Sequence, residues 1–505
     1  MTCRLRWYDS IFVVLFIYLF ILQMQAIWPF TIDDMYISLR YAKNWAAGYG
    51  LVWNIHEPPV EGYSNFSFVV LSALAIIFNM DPVFVLKSAG VIGLFFTCYF
   101  VYLISRFWFN KRLSLLPCLS LLLYKGQIVW TASGLETTMY EALICASVYY
   151  CFRGMGYQLA PQVRNNAKTT YFIAAGLTMA VAGMTRPEAP VLMMLFFILI
   201  CLDRPQVACK QYWQGTLFFC VTIGLFFLPY FLWRLYYFGY LFPNSVYCKG
   251  LNETFTLSLD LNYLYLSLPW LLFSIPACIK AQDKRYYFLW LPSLLYLLML
   301  ADSDPIVAFY NRLFLPAFAL LLPLALQGMR ILAYALLKSR DQFLNVLLCF
   351  LFIWASFFFI PKMTLADYRY FSESPVQGEQ LRQHVVNWLN THASPGSRVV
   401  LADSGMIPYL SSLNFIDSYC LNNLAMAHYP AYQRYTRFCH EIMPMHPEVI
   451  ILTSLIQRTK EIYTPSDLCL KDLLAKQSNY QLKQSYLSPN PDSQYRYEIY
   501  ERNVE

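Results

Sequence analysis

Hydrophobic and polar positions in this chain fall into long blocks rather than short alternations. Apolar runs recur near 11–28, 82–104, 114–130, 137–152, 170–185, 189–202, 213–233, 262–279, 286–300, 311–327 and 342–360. A helix that crosses a bilayer needs about 20 such residues, so the pattern predicts a polytopic α-helical membrane protein of about eleven spans, several of them short. The run at 66–79, FSFVVLSALAIIFN, is shorter and lies between polar stretches, which fits a helix in the membrane interface. The first run follows Arg4 and Arg6 and precedes no small-x-small cleavage site, so it reads as an uncleaved span.

From about residue 362 the pattern changes. GEQLRQHVVNWLNTHASPGSRVVLADSGMIPYLSS reads as a helix, a Pro-Gly turn, a buried strand and a second helix start. FIDSYCL, PEVIILTS and QYRYEIYER read as further strands. The expected division is a membrane module at 1–361, with a first outer loop at 29–81, and a soluble C-terminal α/β domain at 362–505. No internal repeat or low-complexity segment is visible.

Composition agrees with the block pattern. Of 505 residues, 58% are hydrophobic, 18% aromatic and only 13% charged, where soluble chains carry about 25% charged residues. The net charge of +7 is modest and no basic run suggests nucleic acid. The fourteen cysteines show no CxxC and no metal-ligand spacing, so most read as packing residues. Cys248, Cys420, Cys439 and Cys469 lie in polar stretches, and a disulfide among the last three is an open expectation.

Loop charge sets an expected orientation. With the N-terminus cytoplasmic, inner loops hold sixteen Lys and Arg and the opposite short loops hold seven, which places the C-terminal domain outside. Counting 66–79 as a span would reverse every later loop and destroy that bias. The unusual polar motifs then share the outer face: TIDDMYISLRYAKN and HEPPVEGYSN in the first loop, then SGLETTMY, TRPEAP, WRLYYFGYLFPNSVYCK and ADSDPIVAFYNRLFLP.

Ionisable groups at mid-membrane cost about 2.5–3.5 kcal/mol each on insertion scales, so they tend to face a cavity or a partner. Asp33, Asp34, Glu61, Glu136, Arg186, Glu188, Arg234, Lys249 and Arg312 at one level predict a charge-mixed cavity. The cations suit a phosphate and the carboxylates suit proton abstraction or hydroxyl recognition. Plainer readings stand beside these. Arg186 could pair with Glu188 or reach the surface, Glu136 could sit at a helix N-terminus, and Arg312 could be an interfacial anchor.

The order of an Asp-Asp pair after the first span, then VEGYSN, SGLETTMY, TRPEAP, PNSVYCK, NRLFLP and LADSGMIPYLSS, resembles bacterial membrane glycosyltransferases of the GT-C superfamily. It is most similar to the branch with the mycobacterial terminal arabinofuranosyltransferases, over about residues 10–430. The resemblance implies two interfacial helices in the first outer loop, a site in a multi-pass inner-membrane protein, and a polyprenyl-phosphate-linked sugar as donor. The implied activity is inverting transfer to a cell-envelope glycan, lipid or protein on the outer side. Pro59, Cys248 and the absence of a Gly-Gly-Asp start before Asp302 and Asp304 depart from the pattern.

On this reading Asp33 and Asp34 are the catalytic pair, and Arg186, Arg234, Lys249 and Arg312 bind the donor phosphate. Arg40, Glu61, Tyr63, Glu136, Glu188 and Asn244 shape the substrate site. The residues single out no cofactor, and the acidic pair could hold a divalent cation. Thr31 as N-cap would place Asp34 at the third helical position of a capping box and leave Asp33 as base. Asp403 is expected to order the turn after its strand. A lipid-linked polysaccharide polymerase or ligase and a transporter are the rival readings, the latter disfavoured by one-sided polar groups.

Overall fold

The structure, a computed structural model, describes residues 7–503 apart from 160–163, 204–208, 250–254, 304–306, 338–340, 458–459 and 490–493. Arg4, Arg6, Arg204, Lys338 and Arg340, which enter the loop-charge argument, and Asp304 lie outside the described residues. Most of the first 360 residues are helical. Among the described residues four helices are long and apolar enough to cross a membrane: Pro82–Ser105, Lys210–Phe238, Ser258–Ile279 and Arg312–Leu336. Leu113–Leu123 and Lys125–Ala132 form a fifth, broken span bent by 67°. Tyr124, at φ −75° and ψ 118°, is the extended residue that breaks it. Six shorter apolar helices accompany them, Phe66–Ile77 included.

The helices differ in what they face. In Arg312–Leu336, 83% of the apolar window is buried, so this helix is central, whereas in Lys210–Phe238 only 22% is, leaving leucines and aromatics for lipid. The broken span is joined to the C-terminal half at its break, where Lys125 Nζ meets Asp367 Oδ1 at 2.5 Å.

The C-terminal part opens with the helix Leu365–His392, begun by a capping box in which Thr364 and Asp367 bond reciprocally. A six-stranded mixed sheet follows: β1 (Arg398–Leu401), β2 (Asn414–Asp417), β3 (Val449–Gln457), β4 (Lys460–Tyr463), β5 (Tyr480–Leu487) and β6 (Gln494–Arg502). Its order is β2-β1-β3-β6-β5, with β4 on β3. β1 is parallel to β2 and β3, while β6 is antiparallel to both β3 and β5. Sequence pattern finds four of these strands. It misses β4, which is four residues long, and β5, whose YQLKQSYL is mostly exposed and so lacks a buried face to read.

One apolar core joins this sheet to the loop at 29–81. Ile37, Tyr41, Leu51, Trp53 and Tyr63 pack in the same cluster as Val385, Val399, Phe415 and Ile450. The loop also covers the sheet edge, because Asn54 exchanges hydrogen bonds with the backbone of Phe415 in β2 and Trp53 Nε1 donates to the same carbonyl.

Candidate active site

The helix at the acidic pair runs Asp34–Ala46 with Asp33 at its N-cap, two residues later than a Thr31 cap would require. Its first free N–H groups are satisfied by backbone: Met35 N–H donates to Ile32 O (3.1 Å) and Tyr36 N–H to Asp33 O (2.9 Å). Thr31 spends its hydroxyl on Glu379 of the Leu365–His392 helix. The capping box is therefore not formed, and Asp34 is not its third-position acceptor.

The two aspartates differ in their partners. Asp33 accepts from the Met406 N–H at 3.0 Å and pairs with Arg382 at 3.0 Å, both partners from the C-terminal part. Burial pushes its carboxyl up to about 6, with Arg382 opposing. Gly405 is needed here, since a Cβ would stand 2.2 Å from Asp33 Oδ2. Asp34 instead lines a cavity and faces Lys249 at 3.8 Å.

That inner cavity, about 420 Å³, gathers Asp34, Tyr63, Asn65, Glu136, Arg186, Glu188, Lys249 and Arg312. Glu136 organises it. Its carboxylate accepts from Arg186 (2.6 Å), Arg312 (3.1 Å) and Asn65 Nδ2 (2.9 Å). Burial raises the Glu136 pKa, but Arg312 and Arg186 outweigh it and leave the carboxyl below its ordinary value. Arg186 also holds Glu188 at 2.6 Å, so the plainer pairing is present as well. Ser38, one turn beyond Asp34, donates to Asn65 Oδ1 at 2.8 Å and so ties the acidic helix to this network. Apolar side chains share the lining: Pro187, Val191, Phe242, Met299, Leu300 and Leu313. The Tyr63 hydroxyl is buried there with no hydrogen-bond partner among the described residues.

A second cavity of about 480 Å³ opens between the acidic loop and the C-terminal part. Its lining includes Thr31, Asp33, Gln377, Arg382, Asp403, Ser404 and Tyr495. Asp34, Ile37, Lys249, Val307 and Leu421 line both cavities, so Asp34 stands where they meet. Asp403, expected to order a turn, accepts instead from Tyr495 (2.8 Å) and Tyr497 and lies 3.5 Å from Arg382. Arg382, Ser38 and Asn65 are site residues that the sequence reading left out. Asn65 closes the quoted VEGYSN, whereas Arg382 is one of several charges on an amphipathic helix and gave no signal.

Four expected site residues lie elsewhere. Arg234 and Glu61 pair with each other at 2.6 Å, both buried, and line neither cavity. Arg234 is thus a loop anchor that also donates to Leu241 O. Arg40 is spent on backbone carbonyls of Trp53, Pro408, Ser411 and Leu413. Asn244 is buried beside the cavity, its N–H on Glu61 O. Asp302 closes a loop with the Thr256 backbone and does not line the site. Among the described residues no three His, Cys, Asp or Glu side chains gather as a metal site, and Asp33 is already engaged, so no step below uses a metal. The disulfide also differs from expectation: Cys248 is bonded to Cys420, and Cys439 and Cys469 are free thiols.

The chain has the fold of the GT-C membrane glycosyltransferases. ArnT from Cupriavidus metallidurans bound to undecaprenyl phosphate matches with a TM-score of 0.61 at 13% identity, over 96% of this chain and 98% of that one. The Archaeoglobus fulgidus oligosaccharyltransferase in its apo form matches at 0.52 and 11% identity, over 86% of this chain and 71% of that one. A mutant arabinofuranosyltransferase AftD from Mycobacteria matches at 0.51 and 10% identity, over 97% of this chain and 41% of that one. A domain of unknown function, DUF8728, matches residues 368–500. A search of the curated proteins finds no match.

Proposed function

We propose that this chain is an inverting glycosyltransferase that moves a sugar from a polyprenyl-phosphate donor to a hydroxyl-bearing cell-envelope acceptor. The observation that carries this is the place of Asp34, at the junction of two cavities and across from Lys249. The inner cavity, with Lys249, Arg312 and Arg186 beside apolar side chains, suits a phosphate joined to a lipid tail. The ArnT structure with undecaprenyl phosphate supports the same class of donor. The outer cavity, rich in hydroxyl and carboxylate groups, suits the hydroxyls of an acceptor glycan.

In this reading Asp34 removes the proton from the acceptor hydroxyl as its oxygen attacks the anomeric carbon. The bond from that carbon to the phosphate oxygen breaks, and the phosphate leaves with the electron pair, held by Lys249 and Arg312. Glu136 positions both arginines, and Asp33 with Arg382 positions the start of the acidic helix. Eleven spans, a cytoplasmic N-terminus, an outer C-terminal domain and the 361/362 division belong to the same proposal. The Cys248–Cys420 disulfide supports the outer side, because such bonds persist in oxidising compartments.

The test uses the purified chain in lipid nanodiscs with a polyprenyl-phosphate-linked sugar, and measures released polyprenyl phosphate. Asp34→Asn should lower turnover at least about a thousandfold, at the upper part of what a general base contributes, while undecaprenyl phosphate still binds. Asp33→Asn should leave measurable turnover. Near-normal transfer by Asp34→Asn would refute the assignment.

A further inference from the structure

Lys249 is the last residue of a six-residue helix, Asn244–Lys249, that follows the Lys210–Phe238 span and is fastened to the C-terminal part from three sides. Cys248, its immediate neighbour, is cross-linked to Cys420. Arg434 donates from Nη1 to Cys248 O at 2.7 Å and from Nη2 to Tyr247 O at 3.2 Å. His428 lies against Tyr247 and Tyr240, with ring centroids 4.4 and 4.3 Å apart.

The receiving side is built for this. Cys420 holds φ at +96°, a region that residues with a Cβ rarely occupy. The buried Asp417 carboxylate holds the turn there by accepting from the N–H groups of Tyr419, Cys420 and Asn422. A cysteine kept in a conformation that favours glycine is explained by the bond that only its sulfur can make. Val246 and Lys249 from the fastened helix line the inner cavity, so the fastening reaches the site directly.

We propose that the Cys248–Cys420 disulfide is a positioning device for the donor phosphate, holding Lys249 opposite Asp34. This rests on the donor reading of the inner cavity given above. A lysine on a flexible four-carbon stem is a weak phosphate ligand unless its backbone is fixed. The membrane module supplies the lysine and the C-terminal part supplies the anchor, so the site is complete only when the two are covalently joined.

The experiment is a mutant cycle on the full chain in nanodiscs, read as affinity for undecaprenyl phosphate. The variants are Lys249→Met, Cys248→Ala with Cys420→Ala, and all three together. Each of the first two should weaken binding about tenfold, the scale of one charge-assisted contact. The triple variant should be no weaker than Lys249→Met, since contacts that act through one another do not add. A general loss of stability would leave the Lys249 dependence intact, so additive losses, or unchanged affinity without the disulfide, overturn the proposal. If the double-alanine variant does not fold, reduction of the wild-type protein with a phosphine takes its place, with the same expected loss and the same overturning result. If the oxidised wild-type protein does not bind undecaprenyl phosphate, the donor reading itself fails. The positioning role is then judged by hydrogen exchange at residues 244–249, which must quicken on reduction while β1 stays protected; unchanged exchange overturns it.

Discussion

A single carboxylate, Glu136, keeps two guanidinium groups in order at the inner cavity. Arg186 has a second partner in Glu188, but the only carboxylate paired with Arg312 among the described residues is Glu136. Glu136→Gln therefore leaves Arg312 as a buried cation short of its counter-charge, a loss of about 3–5 kcal/mol. The expected result is a melting temperature lower by several degrees, and weaker undecaprenyl phosphate binding because Arg312 loses its orientation. Because the Glu136 pKa is depressed in the folded chain, its contribution is present above the ordinary carboxylate value and is lost as pH falls through the folded one. A variant as stable as the wild type, with unchanged phosphate affinity, would show that the cavity does not depend on this pairing. Gly62 offers a steric check at the same scale. A Cβ there would lie 1.8 Å from Asn422 Oδ1, so Gly62→Ala should destabilise the loop against the C-terminal part, seen as faster proteolysis.

At the scale of elements, the helix Pro465–Leu474 places Asp467 against β3, where its carboxylate is fully buried and accepts from Thr453 N–H at 3.1 Å. Burial pushes Asp467 up to about 8, so this group takes up a proton on folding. Its stabilising contribution is complete below its ordinary value near 4 and is lost as pH rises through about 8. The melting temperature should therefore fall between about pH 4 and pH 8, and Asp467→Asn should flatten that slope; an unchanged slope in the variant would exclude Asp467 as its source. The same carboxylate shows what could be read in advance. Thr-x-x-Asp occurs at 31–34, 364–367 and 464–467. Thr364 and Thr464 do cap their helices, whereas Thr31 turns to Glu379 because another helix packs against it. Local spacing foretold the helices, their apolar faces and the convergence of SGLETTMY, TRPEAP and NRLFLP on one cavity. Which aspartate is held by the C-terminal part was decided by Met406 and Arg382, more than 340 residues away in the chain, and no local pattern carries that information.

For the molecule as a whole, the loop at 29–81 and the C-terminal sheet share a core, a covered strand edge and the Arg40 staple, while the Cys248–Cys420 disulfide ties the helix Asn244–Lys249 to the same C-terminal part. The C-terminal part is thus not an appendage: its first helix supplies Arg382, the segment after β1 supplies Asp403 and Met406, and the turn after β2 anchors Lys249 through Cys420. Parts that share one core open together, so they should exchange hydrogen as one cooperative unit. Amides of β1 and of the helix Asp34–Ala46 should show the same opening free energy. Arg40→Ala removes four guanidinium–carbonyl hydrogen bonds, and hydrogen bonds to charged groups are worth about 1.5–3 kcal/mol each. The variant should lower the opening energy of both segments by the same amount, about 3 kcal/mol or more. Transfer should fall with it, because Asp33 and Lys249 lose their anchors in one event. An opening of β1 that leaves the acidic helix protected would mean that the sheet and the loop at 29–81 fold as separate units, and the joint origin of the candidate site would have to be abandoned.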